Sequence, residues 1–220
     1  MWIKSLYLFI YNIIQFFGWM FFFIKVSLGL IKKQSIFEIY DETHCILEYC
    51  QYGAFLEIIH SLLGIVKSSI IATSIQILGR IAIVAVLQNF RSSVSSGYLF
   101  LYFAWSIIEM IRYSYYLFSI IKSEKKSFTI PYILKWCRYS FFILLYPTGV
   151  TGEIITLLNA KKDLEKYKLG NKYTYGDLVY PIFILYIPSL IFLYRHLFLL
   201  RNKALKNIEE EKEKNNKKRE

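Results

Sequence analysis

A phenol and a carboxylate, Tyr146 and Glu153, stand seven positions apart in the segment YPTGVTGE (146–153), which ends a long apolar run. Both are groups that can transfer protons to and from a substrate. In a helix this spacing keeps the two side chains on nearly the same face, roughly 10 Å apart along the axis. The alternative is structural: an interfacial tyrosine, a helix-ending proline and a solvated glutamate. The residues alone leave both interpretations open.

The same segment contains residues that disfavour a helix. Pro147 removes a backbone donor and crowds the preceding turn, and Gly149 and Gly152 lower the helix propensity further. We therefore expect no straight helix through this stretch. Irregular backbone at membrane depth is tolerated where it is buried in protein or lines a wet cavity.

A second set of ionisable residues interrupts other apolar stretches. Glu109 and Arg112 are three apart, a spacing that places them on one helical face. Because a charge at the bilayer centre costs at least ~2.5–3.5 kcal/mol, each must be paired, near water or functional. A structural ion pair between helices is one interpretation. The other is that Arg112 binds an anionic substrate, since guanidinium binds phosphate and carboxylate in a bidentate manner.

Two further pairs of ionisable residues each have a structural and a functional interpretation. Lys135 and Arg138 either reach to the membrane interface or help to bind a phosphate-bearing substrate there. Glu57 and His60 could be two metal ligands, but without a third and fourth ligand a hydrogen-bonded contact between helices is favoured. No metal site is therefore predicted.

The composition indicates which elements must position these groups. The chain has 220 residues, 55% hydrophobic and 19% aromatic, and a mean hydropathy of +0.37, too apolar for an ordinary soluble domain. A helix of about 20 apolar residues spans a bilayer. The sequence predicts an all-α membrane protein, a bundle of six transmembrane helices at roughly 5–31, 47–66, 68–88, 97–119, 130–146 and 178–200.

The two ends of the chain differ in character. The first apolar segment shows no small-residue cleavage site, so we expect a retained anchor within a membrane domain of residues 1–200. Residues 201–220 are charged, lack aromatic residues and are predicted to be disordered. Lys217 and Lys218 match a di-lysine endoplasmic-reticulum retrieval signal, with a chance match as the alternative. A functional signal would place the tail in the cytosol and, with six spans, the N-terminus as well.

The distribution of charge and the cysteine content argue against a nucleic-acid-binding, a disulfide-rich or a zinc-binding protein. The net charge of +11 comes from basic residues in loops and in the tail that flank apolar spans, a distribution explained by the membrane surface rather than by nucleic acid. The three cysteines, Cys45, Cys50 and Cys137, are odd in number and lack CxxC spacing. Neither a disulfide framework nor a zinc site is suggested.

The chain resembles the very-long-chain (3R)-3-hydroxyacyl-CoA dehydratases, also called protein tyrosine phosphatase-like A proteins. The similarity runs in one order over nearly the whole chain before the tail. Its blocks are LYLFIYNIIQFFGW (6–19), GAFLEIIHSLLGIVKSS (53–69), TSIQILGR (73–80), WSIIEMIRYSYYLFS (105–119), KWCRYSFFILLYPTGVTGE (135–153), NKY (171–173) and YIP (186–188).

The resemblance implies a multi-pass enzyme of the endoplasmic reticulum membrane that performs the third step of fatty acid elongation. Such an enzyme removes water from a long-chain (3R)-3-hydroxyacyl-CoA to give a trans-2-enoyl-CoA, and needs no metal or redox cofactor. The family's catalytic pair corresponds to Tyr146 and Glu153. Association with the elongase, the ketoacyl reductase and the enoyl reductase of the cycle is also implied.

This reaction requires one group to take a proton from C2 and another to protonate the departing C3 hydroxyl. Glu153, poorly solvated near lipid, suits the base, and neutral Tyr146 suits the acid; the reverse assignment stays open. Backbone amides near Gly149 or Gly152 are candidates to stabilise the enolate oxygen. Arg112, Lys135 and Arg138 are candidates for binding the nucleotide end of the substrate. The acyl chain is expected to lie between the transmembrane helices.

Three rival functions are a tyrosine phosphatase, a small membrane transporter and a noncatalytic scaffold. A tyrosine phosphatase needs the pattern HCxxGxxR, whereas HSLLGIVK (60–67) has Ser61 in place of the thiolate and Lys67 in place of the arginine. A small membrane transporter would use intramembrane Glu, Arg and His, but no internal repeat relates the two halves. A noncatalytic membrane scaffold of the same family is the third.

Overall fold

The computed structural model describes residues 2–125, 128–169 and 172–216, which form an almost entirely helical bundle. Its helices are α1 (Trp2–Ile31), α2 (Ile36–Ala54), α3 (Leu56–Leu62), α4 (Ile70–Asn89), α5 (Ser96–Glu124), α6 (Tyr132–Ser140), α7 (Phe142–Leu164) and α8 (Val179–Asn216). Two 3₁₀ turns, Arg91–Ser93 and Tyr175–Leu178, and an antiparallel strand pair, β1 (Lys168–Leu169) with β2 (Tyr173–Thr174), complete the fold.

The bundle is assembled around α5. This helix packs most extensively against α1 and α7 and also contacts α2 and α6. Its large aromatic side chains Tyr98, Trp105 and Tyr113 are almost completely buried, and they meet Trp19 and Phe22 of α1 in one continuous core. The polar residues Ser106 and Glu109 of α5 are buried and therefore face neighbouring helices, whereas Phe100 and Phe103 are exposed on another face.

Four helical segments are long and apolar enough to cross a membrane, which supports the all-α membrane class. They are Ile3–Ile31, Ile70–Asn89, Phe142–Leu164 and Tyr175–Lys206, within the described part of the chain. Six spans are not confirmed. The predicted span 47–66 is divided between α2 and α3 by a break at Phe55, and the span within α5 is made less apolar by its charged residues.

The prediction for the fifth span was wrong in its bounds. It was expected at 130–146, ending at Pro147, whereas the long apolar helix is α7, which continues through Pro147 to Leu164. The proline is the sixth residue of this helix, so the missing donor affects only the carbonyl of Ile143, four residues earlier. The hydroxyl of Tyr194 on α8 donates to that carbonyl at 3.4 Å, which partly replaces the lost helical hydrogen bond.

The tail also differs from its prediction. Helix α8 continues to Asn216, so disorder from residue 201 onward is not confirmed. Lys, Glu, Leu and Ala are strong helix formers, and this composition continues the helix after its apolar part. The di-lysine residues Lys217 and Lys218 lie outside the described residues.

Glycines set the close approach of α5 and α7. A Cβ added to Gly152 would lie 2.9 Å from the carbonyl oxygen of Gly97, and a Cβ on Gly97 would lie 2.9 Å from the carbonyl oxygen of Gly152. Real Cβ atoms do not tolerate such contacts with backbone. The two glycines therefore fix the separation of the two helices.

We predict that Gly152→Ala lowers stability by about 1–3 kcal/mol, because the added methyl group meets backbone that cannot move alone. Thermal unfolding of the detergent-purified protein measures this. Gly79→Ala in α4 is the matched control, because a Cβ there meets nothing within 4 Å. Equal unfolding temperatures for the two variants would contradict the role of Gly152 in helix packing.

Candidate active site

A cavity of about 340 Å³ lies between α4, α5, α7 and α8. Most of its wall is aliphatic, as expected for a site that holds a hydrocarbon chain. A few polar side chains interrupt this wall: Gln76 and Arg80 from α4, Trp105 from α5, Tyr146 and Glu153 from α7, and Tyr186 and Ser189 from α8. The cavity therefore combines an apolar interior with proton-transfer groups.

Tyr146 and Glu153 line this one cavity from positions about two turns apart on α7. Because α7 is continuous here, their spacing of seven residues places both on nearly the same face, roughly 10 Å apart along the axis. The Tyr146 hydroxyl accepts a hydrogen bond from the Gln76 side-chain amide. Its ring packs edge-on against Phe142 and Tyr194, with centroids 6.4 Å and 5.9 Å away. These contacts fix the position of the phenol.

Glu153 is buried, with an exposed fraction of 9%. The Tyr186 hydroxyl on α8 donates to its Oε2 at 2.6 Å, and Trp105 on α5 lines the same cavity. Helix α8 therefore positions this carboxylate. Tyr186 was not among the predicted site residues; its place in the block YIP (186–188) was the available signal, but no spacing links it to Glu153.

Gly149 and Gly152 lie within α7, where the helix uses their amides for its own hydrogen bonds. The suggestion that these amides stabilise an enolate oxygen is therefore not supported. Both glycines instead face α5: a Cβ on Gly149 would lie 3.5 Å from Ala104 and from the Trp105 indole nitrogen. Gly149 also lines the cavity.

The charged groups of α3, α4 and α5 form a buried network. Arg112 donates through Nε to Glu109 at 2.7 Å and through Nη2 to Glu57 at 2.8 Å. Glu109 also accepts from Arg80, and Glu57 accepts from the Tyr113 hydroxyl at 2.6 Å. The predicted ion pair of Glu109 and Arg112 is confirmed and extends across three helices. Arg112 does not line the cavity.

Lys135 and Arg138 lie on α6, outside the cavity wall. The Arg138 guanidinium lies 5.8 Å from the ring centroid of Tyr116 and 5.7 Å from that of Tyr139. Its Nη2 donates to the Tyr116 hydroxyl at 3.5 Å, and its buried Nε has no hydrogen-bond partner among the described residues. The structure therefore does not bring these two residues together with Tyr146 and Glu153.

His60 and Glu57 have separate partners. The His60 Nε2 is 2.8 Å from the Tyr7 hydroxyl, and Glu57 is paired with Arg112. The expected hydrogen-bonded contact between helices is confirmed for His60. Among residues 2–125, 128–169 and 172–216, no group of three His, Cys, Asp or Glu side chains could hold a metal ion.

Comparison with known proteins gives a consistent result. Residues 51–207 match the model of the family described as protein tyrosine phosphatase-like protein, PTPLA. The very-long-chain (3R)-3-hydroxyacyl-CoA dehydratase 2 of Mus musculus is 37% identical over 96% of this chain and 85% of its own length. A probable dehydratase of the same description from Schizosaccharomyces pombe is 32% identical over 93% of this chain and 95% of its length. No solved structure matches.

The buried network generates a stability prediction. Glu109→Gln removes one carboxylate from two buried guanidinium groups, and leaving a buried charge without its partner costs about 3–5 kcal/mol. We expect a large fall in the unfolding temperature in detergent. Asp41→Asn is the control, because the Asp41–Arg91 pair is more than half exposed, at 56% and 52%, and exposed pairs contribute little. A similar fall in both variants would contradict a structural role for the network.

Proposed function

Because the chain belongs to the protein tyrosine phosphatase-like (PTPLA) family, we propose that it is a very-long-chain (3R)-3-hydroxyacyl-CoA dehydratase. It removes water from a long-chain (3R)-3-hydroxyacyl-CoA and gives a trans-2-enoyl-CoA, the dehydration step of fatty acid elongation. We further propose that Tyr146 and Glu153 are the catalytic pair. The supporting observation is that both line one largely aliphatic cavity inside the helical bundle.

The two residues divide the proton transfers. Glu153 takes the proton from C2, and the Tyr146 hydroxyl protonates the C3 oxygen as the C3–O bond breaks and water leaves. The hydrogen bond from Gln76 leaves the phenolic proton of Tyr146 free to donate. Positioned acid and base groups each contribute roughly 10² to 10⁴ in rate. The aliphatic wall holds the acyl chain beside them.

The charge distribution supports an orientation for the substrate. One end of the bundle, where α6 packs beside the ends of α5 and α8, carries basic side chains with few acidic ones: Lys67, Lys122, Lys125, Lys135, Arg138, Arg195, Arg201, Lys203 and Lys206. At the other end, Arg91 pairs with Asp41 and Lys166 with Asp163. An excess of Lys and Arg is typical of the cytosolic side. We place the CoA phosphates at the basic end, where Lys135 and Arg138 are the candidates to attract them. Arg112 is instead paired with Glu57 and Glu109 inside the bundle.

Six spans follow if α1, α4, α5 and α8 each cross once, and if α2 with α3, and α6 with α7, each form one further crossing. Both termini then lie in the cytosol, in agreement with a di-lysine signal at Lys217 and Lys218. We place the enzyme in the endoplasmic reticulum membrane, in association with the elongase, the ketoacyl reductase and the enoyl reductase of the same cycle.

Phosphatase chemistry is not favoured despite the family's description. Ser61, at the position where a phosphatase has its thiolate, donates to the backbone carbonyl of Ser68 at 3.1 Å and accepts from its hydroxyl at 3.0 Å. It closes the end of α3 and lies outside the cavity. Its contacts are therefore those of a structural serine.

We predict that Tyr146→Phe and Glu153→Gln each lower kcat for dehydration of a long-chain 3-hydroxyacyl-CoA by about 10²- to 10⁴-fold, because each removes one proton-transfer group. The assay uses purified protein in detergent, with protein amount and unfolding temperature measured in parallel. Tyr49→Phe and Glu42→Gln are the controls, because both residues are exposed on α2. Unchanged turnover in the two site variants would favour a scaffold or a transporter.

Tyr186 gives a separate prediction. Removing its hydroxyl by Tyr186→Phe deletes the donor to the Glu153 carboxylate but keeps the ring that closes the cavity. Since a hydrogen bond to a charged group contributes about 1.5–3 kcal/mol, we expect kcat to fall roughly 10- to 100-fold with little change in KM. Tyr180→Phe, at an exposed position of the same helix, is the control. An equal effect at both positions would exclude a positioning role for Tyr186.

A further inference from the structure

The two arginines of the buried network are bound differently. All three nitrogens of Arg112 (Nε, Nη1 and Nη2) donate to carboxylates, and Nη2 also contacts the Tyr113 hydroxyl at 2.8 Å. Arg80 donates only through Nη1, to Glu109. Within the described ranges, the remaining donors of Arg80 have no hydrogen-bond partner. The Arg112 guanidinium is therefore structural, whereas the Arg80 guanidinium keeps N–H donors for a ligand.

The spare donors of Arg80 belong to the cavity wall. Arg80 lines the cavity that holds Tyr146 and Glu153, and it is the cation among the wall residues. Its guanidinium carbon lies 5.3 Å from the ring centroid of Trp105, which lines the same cavity as Glu153. The side chain is 16% exposed and lines the cavity. A ligand near Glu153 therefore lies close to a positive charge.

The proposed reaction forms a negatively charged intermediate, which a nearby positive charge would stabilise. When the C2 proton leaves, its electron pair forms a C1=C2 double bond and the negative charge moves onto the thioester oxygen. In a largely aliphatic cavity this oxygen needs preorganised donors. The amides of Gly149 and Gly152 are used within α7, and the Gln76 side-chain amide donates to Tyr146.

We propose that Arg80 binds the thioester carbonyl oxygen of the substrate and stabilises the enolate formed after C2 deprotonation; this rests on the dehydratase function proposed above. The enolate then returns its electrons, the C2=C3 bond forms, the C3–O bond breaks, and the leaving oxygen takes the proton of Tyr146. Glu109 is a positioning residue, because its ion pair holds the guanidinium at the wall. The buried network thus places the positive charge of Arg80 at the cavity wall while Glu109 pairs with it.

The test compares two ligands that differ in the carbonyl. A trans-2-enoyl-CoA contains the thioester oxygen, whereas an S-alkyl-CoA thioether of equal chain length lacks it. For the unsubstituted protein we expect the thioester to bind about 10- to 100-fold more tightly, the range for a charge-assisted hydrogen bond. Arg80→Gln should abolish this preference and lower kcat by about 10²- to 10³-fold. Arg80→Lys, which keeps the charge, should retain part of both.

Arg112→Lys is the matched control, because it perturbs the same network away from the cavity. It should lower the unfolding temperature but leave the thioester preference unchanged. Unchanged affinity of Arg80→Gln for the thioether shows that the variant is folded. A preserved thioester preference in Arg80→Gln overturns the proposal. If Glu153→Gln and Tyr146→Phe remain fully active, the proposed function fails instead, independently of the Arg80 result.

Discussion

Burying charge in a protein surrounded by lipid is the constraint on which this structure depends. A lone ionised group at membrane depth is costly, so each must find an opposite charge or hydrogen-bond donors. Helix α5 meets this requirement by lying at the centre of the bundle, where Glu109 and Arg112 reach carboxylates and guanidinium groups of α3 and α4. The charges of α5 find partners because the helix lies at the centre of the bundle. In turn, α5 can lie there because its charges are paired.

The second element of the site is an unusually close pair of helices. Gly97 and Gly152 bring α5 and α7 into backbone contact, and Trp105 of α5 and Glu153 of α7 line the same cavity. A wider separation of the two helices would change the shape of the cavity wall that they share. Packing and chemistry are thus connected through residues that carry no functional group.

The sequence predicted what depends on local pattern. Continuous apolar runs indicated the membrane class, and the spacing of Glu109 and Arg112 indicated an ion pair. The fate of Pro147 could not be predicted, because helix continuity there is supported by Tyr194 from a helix far along the chain. The partners Tyr186 for Glu153 and Gln76 for Tyr146 were equally out of reach, since they lie 33 and 70 residues away. The catalytic roles themselves remain predictions.

Helix α8 differs from the other walls of the cavity in how little protein covers it. Most of its apolar surface is exposed, yet it contributes the Tyr186 hydroxyl that holds Glu153. Under the function proposed above, this thinly covered wall is the one that faces an acyl chain dissolved in the bilayer. A sideways displacement of α8 that admitted such a chain would also separate the Tyr186 hydroxyl from the Glu153 carboxylate, so the lipid-facing wall and the support of Glu153 depend on the same helix.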